Sequence, residues 1–156
     1  MSEFSRKLQQ WIDDYSVDAE LLHFEQSVYS VEEAVAASGH PVERFTKSIA
    51  MMDDSDRVII AVVPADCRAS TERVRKALQL DSRPRTATAE ESEQRLGQQV
   101  GGNSPLNARQ ATVLIDPLVL QKDWLLTGGG DSRTLTKIAT AELARVIDFT
   151  EVRVRK

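Results

Sequence analysis

The residues of this sequence that could do chemistry are few, and most of that chemistry would come from the backbone. The stretch VGGNSPLN, Val100 to Asn107, places two glycines, an amide, a hydroxyl and a proline in a row. Gly101 and Gly102 permit positive φ and let a ligand approach the main chain closely. Pro105 biases Ser104 towards an extended conformation and stiffens the loop. Such a loop can aim N–H groups at a carbonyl or a developing oxyanion, and it can equally be a structural turn. Lys47 is the second candidate. It lies in the apolar stretch FTKSIAM, where a cation buried without a partner would be costly. It reads either as an anchor for a phosphate or carbonyl at a cleft mouth or as a snorkelling lysine on an edge strand. Asp116 closes an apolar run just before a proline and carries the same two readings.

Conventional catalytic arrangements are missing. His23 and His40 have no acidic or thiol neighbours at metal-ligand spacing, and there is no His-Glu-x-x-His, Cys-x-x-Cys or Gly-x-Ser-x-Gly motif. Neither glycine cluster runs into a Gly-Lys-Ser, so the phosphate loop of nucleotide hydrolases is absent as well. Cys67 has nothing nearby in sequence that would lower its pKa. The expectation is therefore no metal and no organic cofactor.

The elements that must hold these residues can be read from capping signals and periodicity. Ser2 caps a first helix in which Phe4, Leu8, Trp11, Ile12 and Tyr15 recur at three- and four-residue spacing, a stripe that packs on the domain or docks a partner helix. Leu22 to Tyr29 reads as extended. Ser30 to Glu33 has capping-box spacing and opens a short helix that Gly39 ends. Strands follow over Thr46–Met52 and Arg57–Val63, the second apolar throughout, as a strand covered on both faces requires. A helix then runs from Ser70 or Thr71 to Leu80, with Arg73, Arg75 and Lys76 on its polar side. Thr88 to Glu91 repeats the capping box, with Gly97 as the stop. Further strands are expected over Thr112–Asp116, Asp123–Thr127 and Thr134–Ile138. Thr140 is expected to cap a helix carrying Leu143, Val146 and Ile147. The alternating tail Glu151–Arg155 reads as an edge strand with its arginines outward. The sum is an α+β domain built on a single mixed β-sheet with flanking helices. Residues 1–20 form an N-terminal helical extension, and residues 21–156 the domain proper.

Composition sets the outer limits. A chain of 156 residues, 41% hydrophobic and 28% charged, suits one soluble globular domain. A single cysteine excludes an internal disulfide and, with no leader-like or membrane-spanning run, points to the cytoplasm. Residues 1–45 carry nine acidic and three basic side chains, whereas residues 46–156 carry fifteen and seventeen. A net charge of −4 disfavours broad coating of nucleic acid, but it leaves room for a local basic patch.

Taken in order, Lys47-Ser48 at a strand start, the apolar run ending in Pro64, Val100-Gly101-Gly102-x-Ser104-Pro105, Ile115-Asp116 and a late glycine pair resemble the YbaK/prolyl-tRNA-synthetase editing-domain family. The resemblance spans about His23 to Val154, nearly the whole chain. It implies a freestanding trans-editing aminoacyl-tRNA deacylase with the family's fold. The substrate would be a mischarged tRNA bearing a small amino acid, such as alanine or cysteine on proline tRNA. It places the family's Gly-x-x-x-Pro loop on Gly101 to Pro105, its lysine on Lys47, its loop-supporting aspartate on Asp116 and its glycine pair on Gly129-Gly130. Lys47, Gly101 and Asp116 would carry catalysis. Gly102, Asn103, Ser104, Pro105, Gly129 and Gly130 would bind substrate. The family's SGGxRG pattern is replaced here by Gly128-Gly129-Gly130-Asp131-Ser132-Arg133, a departure at one pocket wall. Asn103 stands where aliphatic or small hydroxyl residues are common, which bears on the side chain accepted. The implied partners are the 3′-terminal acceptor end of an aminoacyl-tRNA, reached in part through Arg73, Arg75 and Lys76, and optionally an aminoacyl-tRNA synthetase, with no membrane and no DNA. The alternative is a non-catalytic tRNA- or synthetase-binding module with the same fold.

Overall fold

The computed structural model describes residues 1–108 and 110–156. Its elements are α1 Glu3–Asp14, β1 Ala19–His23, α2 Val31–Ser38, β2 Thr46–Met52, β3 Val58–Pro64, α3 Thr71–Leu78, β4 Arg85–Thr86 and α4 Ala89–Glu91, which continues as a π-helical turn over Ser92–Leu96. Then come β5 Thr112–Ile115, α5 Pro117–Leu120, β6 Trp124–Gly128, β7 Thr134–Ala139, α6 Thr140–Val146 and β8 Thr150–Glu151. Among the described residues no helix is long and apolar enough to cross a membrane.

The fold is α+β, but its strands form two hydrogen-bonded sheets rather than the single mixed sheet expected. One has the order β4-β2-β3-β5-β8 and is mixed, since β3 pairs antiparallel with β2 and parallel with β5. The other is antiparallel, with the order β1-β7-β6. They meet at one parallel bridge between Phe45 and Leu126. The reason lies at the exposed edge of β2. Strand β4 has two residues and pairs only with Met51 and Met52, while β6 reaches only Phe45. No described strand covers that edge from Lys47 to Ala50.

Strand β3 is buried over its whole length, as its unbroken apolar sequence demands. On one face Ile60 and Val62 join Leu8 and Ile12 of α1, Leu96, Leu106, Leu125 and Leu143 in the main core. On the other, Ile59, Ala61 and Val63 pack with Val74 of α3 and Val154 of the tail. A third cluster brings Val28, Ala34, Phe45, Leu126 and Leu135 together beneath α2.

Four local expectations are revised. The first extended segment pairs only over Ala19–His23, because β7 begins at Thr134, its partner for His23. The segment from Phe24 to Tyr29 is irregular and leads towards the gap beside β2. Ala139, not Thr140, occupies the last α-helix's N-cap position, and the Thr140 hydroxyl has no partner. Asp116 opens a short helix the periodicity did not reveal, its carboxylate accepting from Leu118 N at 3.0 Å with Pro117 at the first helical position. The tail forms a strand only over Thr150–Glu151, with a separate antiparallel bridge between Arg155 and Ala69, and the Arg155 side chain turns inward.

Candidate functional site

The uncovered stretch of β2 opens onto a cavity of about 300 Å³, at the small end of ligand pockets. Carbonyl directions alternate along a strand. Phe45 O accepts from Ala65 N beyond β3, and Ala50 O accepts from Ala87 N beside β4. Ser48 shares the direction of Ala50, so its N–H and C=O face the gap. Lys47 lines the same cavity, half-buried, and makes no ion pair among the described residues. Apolar side chains of Val28, Val31, Ala34, Leu126 and Leu135 supply the rest of the wall. Thr46, Ser48 and Thr127 also line it, and their buried hydroxyls have no hydrogen-bond partner. Such groups are uncommon in folded proteins, and three around one cavity leave its wall with hydrogen-bonding capacity the fold does not use.

Gly101 and Asn103 form the opposite side. Gly101 has φ +90°, and a Cβ there would overlap the ring of Tyr29, so glycine is required twice over. The loop is held by one buried amide that its sequence did not announce. Gln98 Nε2 donates to Ser104 O at 2.9 Å and to Leu106 O at 3.1 Å, while its Oε1 accepts from Ser104 N at 3.0 Å and Asn103 Nδ2 at 3.3 Å. Ser92 Oγ accepts from Asn103 Nδ2 at 2.8 Å and donates to Gln98 O. Gly102 N donates to Gln99 O at 2.9 Å. Two loop N–H groups are thus used internally, those of Gly102 and Ser104. Among the described residues those of Gly101 and Asn103 have no acceptor.

The two glycine clusters interlock. Gly130 N donates to Gly102 O at 2.8 Å and Gln99 N to Gly130 O at 2.8 Å. A Cβ at Gly102 would overlap the Asp131 backbone, and one at Gly128 would overlap Asn103 O. Gly128 lines the cavity, whereas Gly102, Ser104, Pro105, Gly129 and Gly130 stand behind its wall. They shape the loop and do not line the cavity. Asp131, in the stretch that departs from the family pattern, is 6% exposed. Burial pushes its carboxyl up, but the Ser2 hydroxyl, Arg133 N and the Thr134 and Ser5 hydroxyls outweigh this and hold it below the usual range. This ties the cap of α1 to the glycine clasp.

Asp116 is not brought to the cavity, nor does it support the 101–105 loop. Its buried carboxylate accepts from Leu118 N, from Val154 N at 3.0 Å and Arg155 N at 3.1 Å, and from the Arg155 guanidinium at 2.6 Å. Burial alone would raise its pKa. The three backbone donors and Arg155 reverse that and lower it. With its acceptor positions filled by chain donors, Asp116 anchors the C-terminal tail beneath β5. Arg73, Arg75 and Lys76 are likewise remote from the cavity, and Arg75 is held by Glu72 at 2.7 Å. Cys67 lies outside it too, its thiol pushed up by burial and by the Asp66 carboxylate. Among the described residues no group of three or more His, Cys, Asp or Glu side chains could hold a metal ion.

No curated protein matches the sequence. Among solved structures, one described as a candidate trans-editing enzyme for prolyl-tRNA synthetase superposes with a TM-score of 0.89 at 19% identity, over 100% of this chain and 99% of its own. A hypothetical protein, APE2540, does so with a TM-score of 0.85 at 23% identity, over 96% and 99%. At these identities the likeness establishes the fold. The sequence profile of the aminoacyl-tRNA editing domain matches residues 25–146, which include β2, the 101–105 loop and the late glycines, so the chain belongs to the aminoacyl-tRNA editing domain family.

Proposed function

We propose that this protein is a freestanding deacylase that hydrolyses the ester of a mischarged tRNA carrying a small amino acid, with alanine or cysteine on proline tRNA as the leading pairs. One observation carries the reading. Lys47, Gly101 and Asn103 line one small cavity, and among the described residues neither the Lys47 ammonium nor the two backbone N–H groups has a partner. In this reading the Lys47 ammonium holds the terminal phosphate or ribose end. The two N–H groups point at the ester carbonyl and stabilise the oxyanion that forms when water, or a hydroxyl or thiol of the substrate itself, attacks. The chain supplies placement and polarisation rather than a strong base. The apolar wall selects by exclusion, which rejects a larger side chain far more readily than a smaller one. Lys47 and Gly101 act on the substrate, and Asp116 is a positioning residue for the sheet end.

Deacylation of a panel of mischarged tRNAs by the purified protein tests this. The expected result is turnover of small-amino-acid esters and sparing of bulky ones. Lys47→Ala should lower kcat/KM roughly 10- to 100-fold, the value of a hydrogen bond to a charged group. A panel left intact by excess protein would overturn the enzyme reading, and tRNA binding without turnover would favour a binding module.

A further inference from the structure

Three large apolar side chains are markedly exposed among the described residues, Met1, Tyr15 and Tyr29, and only Tyr29 lines the cavity. Its exposure is 57%, yet both of its neighbours are fixed. Val28 is 3% exposed in the core beneath α2, and its N–H donates to Ser132 O at 2.7 Å. Ser30 caps α2 in a complete capping box with Glu33. Tyr29 N itself donates to Ser27 Oγ at 3.1 Å. The ring packs against Gly101, where a Cβ would overlap its Cγ, Cδ2 and Cε2 atoms. Its hydroxyl makes no hydrogen bond among the described residues. An aromatic ring is thus presented on a rigid mount at the cavity rim, directly beside the backbone assigned to the ester.

Whatever ester enters this cavity from a tRNA brings a terminal adenosine with it, one ribose away from the carbonyl. With the ester held at Gly101 and Asn103, the base lies one ribose away from the residue that Tyr29 packs against. Base-on-aromatic stacking needs an accessible aromatic ring and little else, and Tyr29, more than half exposed at the cavity, offers one. We propose that Tyr29 is the stacking platform for the 3′-terminal adenine, and that it positions the ester over the Gly101 and Asn103 N–H groups. The inference rests on the deacylase reading of the same cavity. It also explains why Gly101 lacks a side chain: a Cβ would push the ring off the rim.

The test uses two substrates and two variants of the whole chain. The first substrate is a mischarged tRNA, and the second is the same tRNA with an abasic 3′-terminal ribose. Tyr29→Ala should raise KM about tenfold on the first with little change in kcat, in keeping with stacking energies measured by alanine substitution. It should have no effect on the abasic substrate. Tyr29→Phe should retain the wild-type KM, since the ring and not the hydroxyl stacks. An independent readout is an amide-linked, non-hydrolysable aminoacyl-tRNA carrying 2-aminopurine as its terminal base. Wild type and Tyr29→Phe should quench its fluorescence on binding, and Tyr29→Ala should not. Quenching that survives Tyr29→Ala, or an equal KM penalty on the abasic substrate, overturns the platform while leaving deacylation standing. Tyr29-dependent quenching by a protein that hydrolyses nothing overturns deacylation while supporting the platform.

Discussion

At the scale of single residues, the least conspicuous side chain near the cavity carries the most structure. Gln98 is 4% exposed and uses both ends of its amide to fix the 101–105 loop. Gln98→Leu would keep the volume but leave Ser104 N, Ser104 O and Leu106 O without partners in a buried setting. Each stranded group costs about 1–3 kcal/mol, offset in part by relaxation, so a net loss of roughly 3 kcal/mol is expected from urea denaturation. Deacylation should fall with it, because the Gly101 and Asn103 N–H groups lose their mount. Gln98 was invisible in the sequence, where a glutamine beside Gly97 resembles any solvated loop residue. Gly101 was legible, because only glycine suits positive φ at a loop this close to other chain. Asn103 was legible as a loop residue, but not as one whose amide nitrogen is tied back to Ser92 and Gln98.

At the scale of elements, Asp116 illustrates how a strand end can mislead. A carboxylate after an apolar strand reads as a site residue, and here it fastens the tail to the sheet and caps α5. Its folded pKa is depressed, so the stabilisation it gives is complete above the unfolded value near 4 and fades as pH falls through the lower folded value. Asp116→Ala is expected to cost roughly 3 kcal/mol at neutral pH, because it strands Arg155 and two tail N–H groups. The gap between variant and wild type should narrow below about pH 4 in chemical denaturation. A gap that stays constant down to pH 2 would show that the carboxylate charge is not the source. The alternating tail suggested outward arginines, and Arg153 is exposed as expected. Arg155 turns inward because a buried carboxylate is waiting 39 residues away, a partner no local pattern reveals.

At the scale of the whole molecule, the first helix is continuous with the core. Leu8 and Ile12 are 3% and 4% exposed and pack with Ile60, Val62 and Leu106. The Ser2 cap reaches Asp131 beside the glycine clasp. We infer that residues 1–20 unfold together with the rest. Leu8→Ala should then cost about 2–4 kcal/mol, as a core truncation does, within one cooperative transition followed by both far-ultraviolet circular dichroism and tryptophan fluorescence. A separate early transition would mark the helix as an appendage. The 3.6-residue stripe foretold a buried face. It could not say whether that face belonged to this chain or to a partner.

By itself the sequence determined those features whose causes are local. Both capping boxes, the left-handed glycines at positions 39 and 97, the wholly apolar β3 and the Lys47 strand follow from side-chain hydrogen bonding, φ preference and periodicity within a few residues. The order of Lys47, the Gly101–Pro105 loop and the late glycines sufficed for the family. Tertiary structure decided what depends on pairing across the chain. It split the strands into two sheets, because a two-residue β4 cannot cover the edge of β2. It turned that uncovered edge into a cavity, and it sent Asp116 to the tail. It also set Tyr29 on the rim, since Ser132, 103 residues further along the chain, and Gly101, 72 residues further along, fix where that ring can lie.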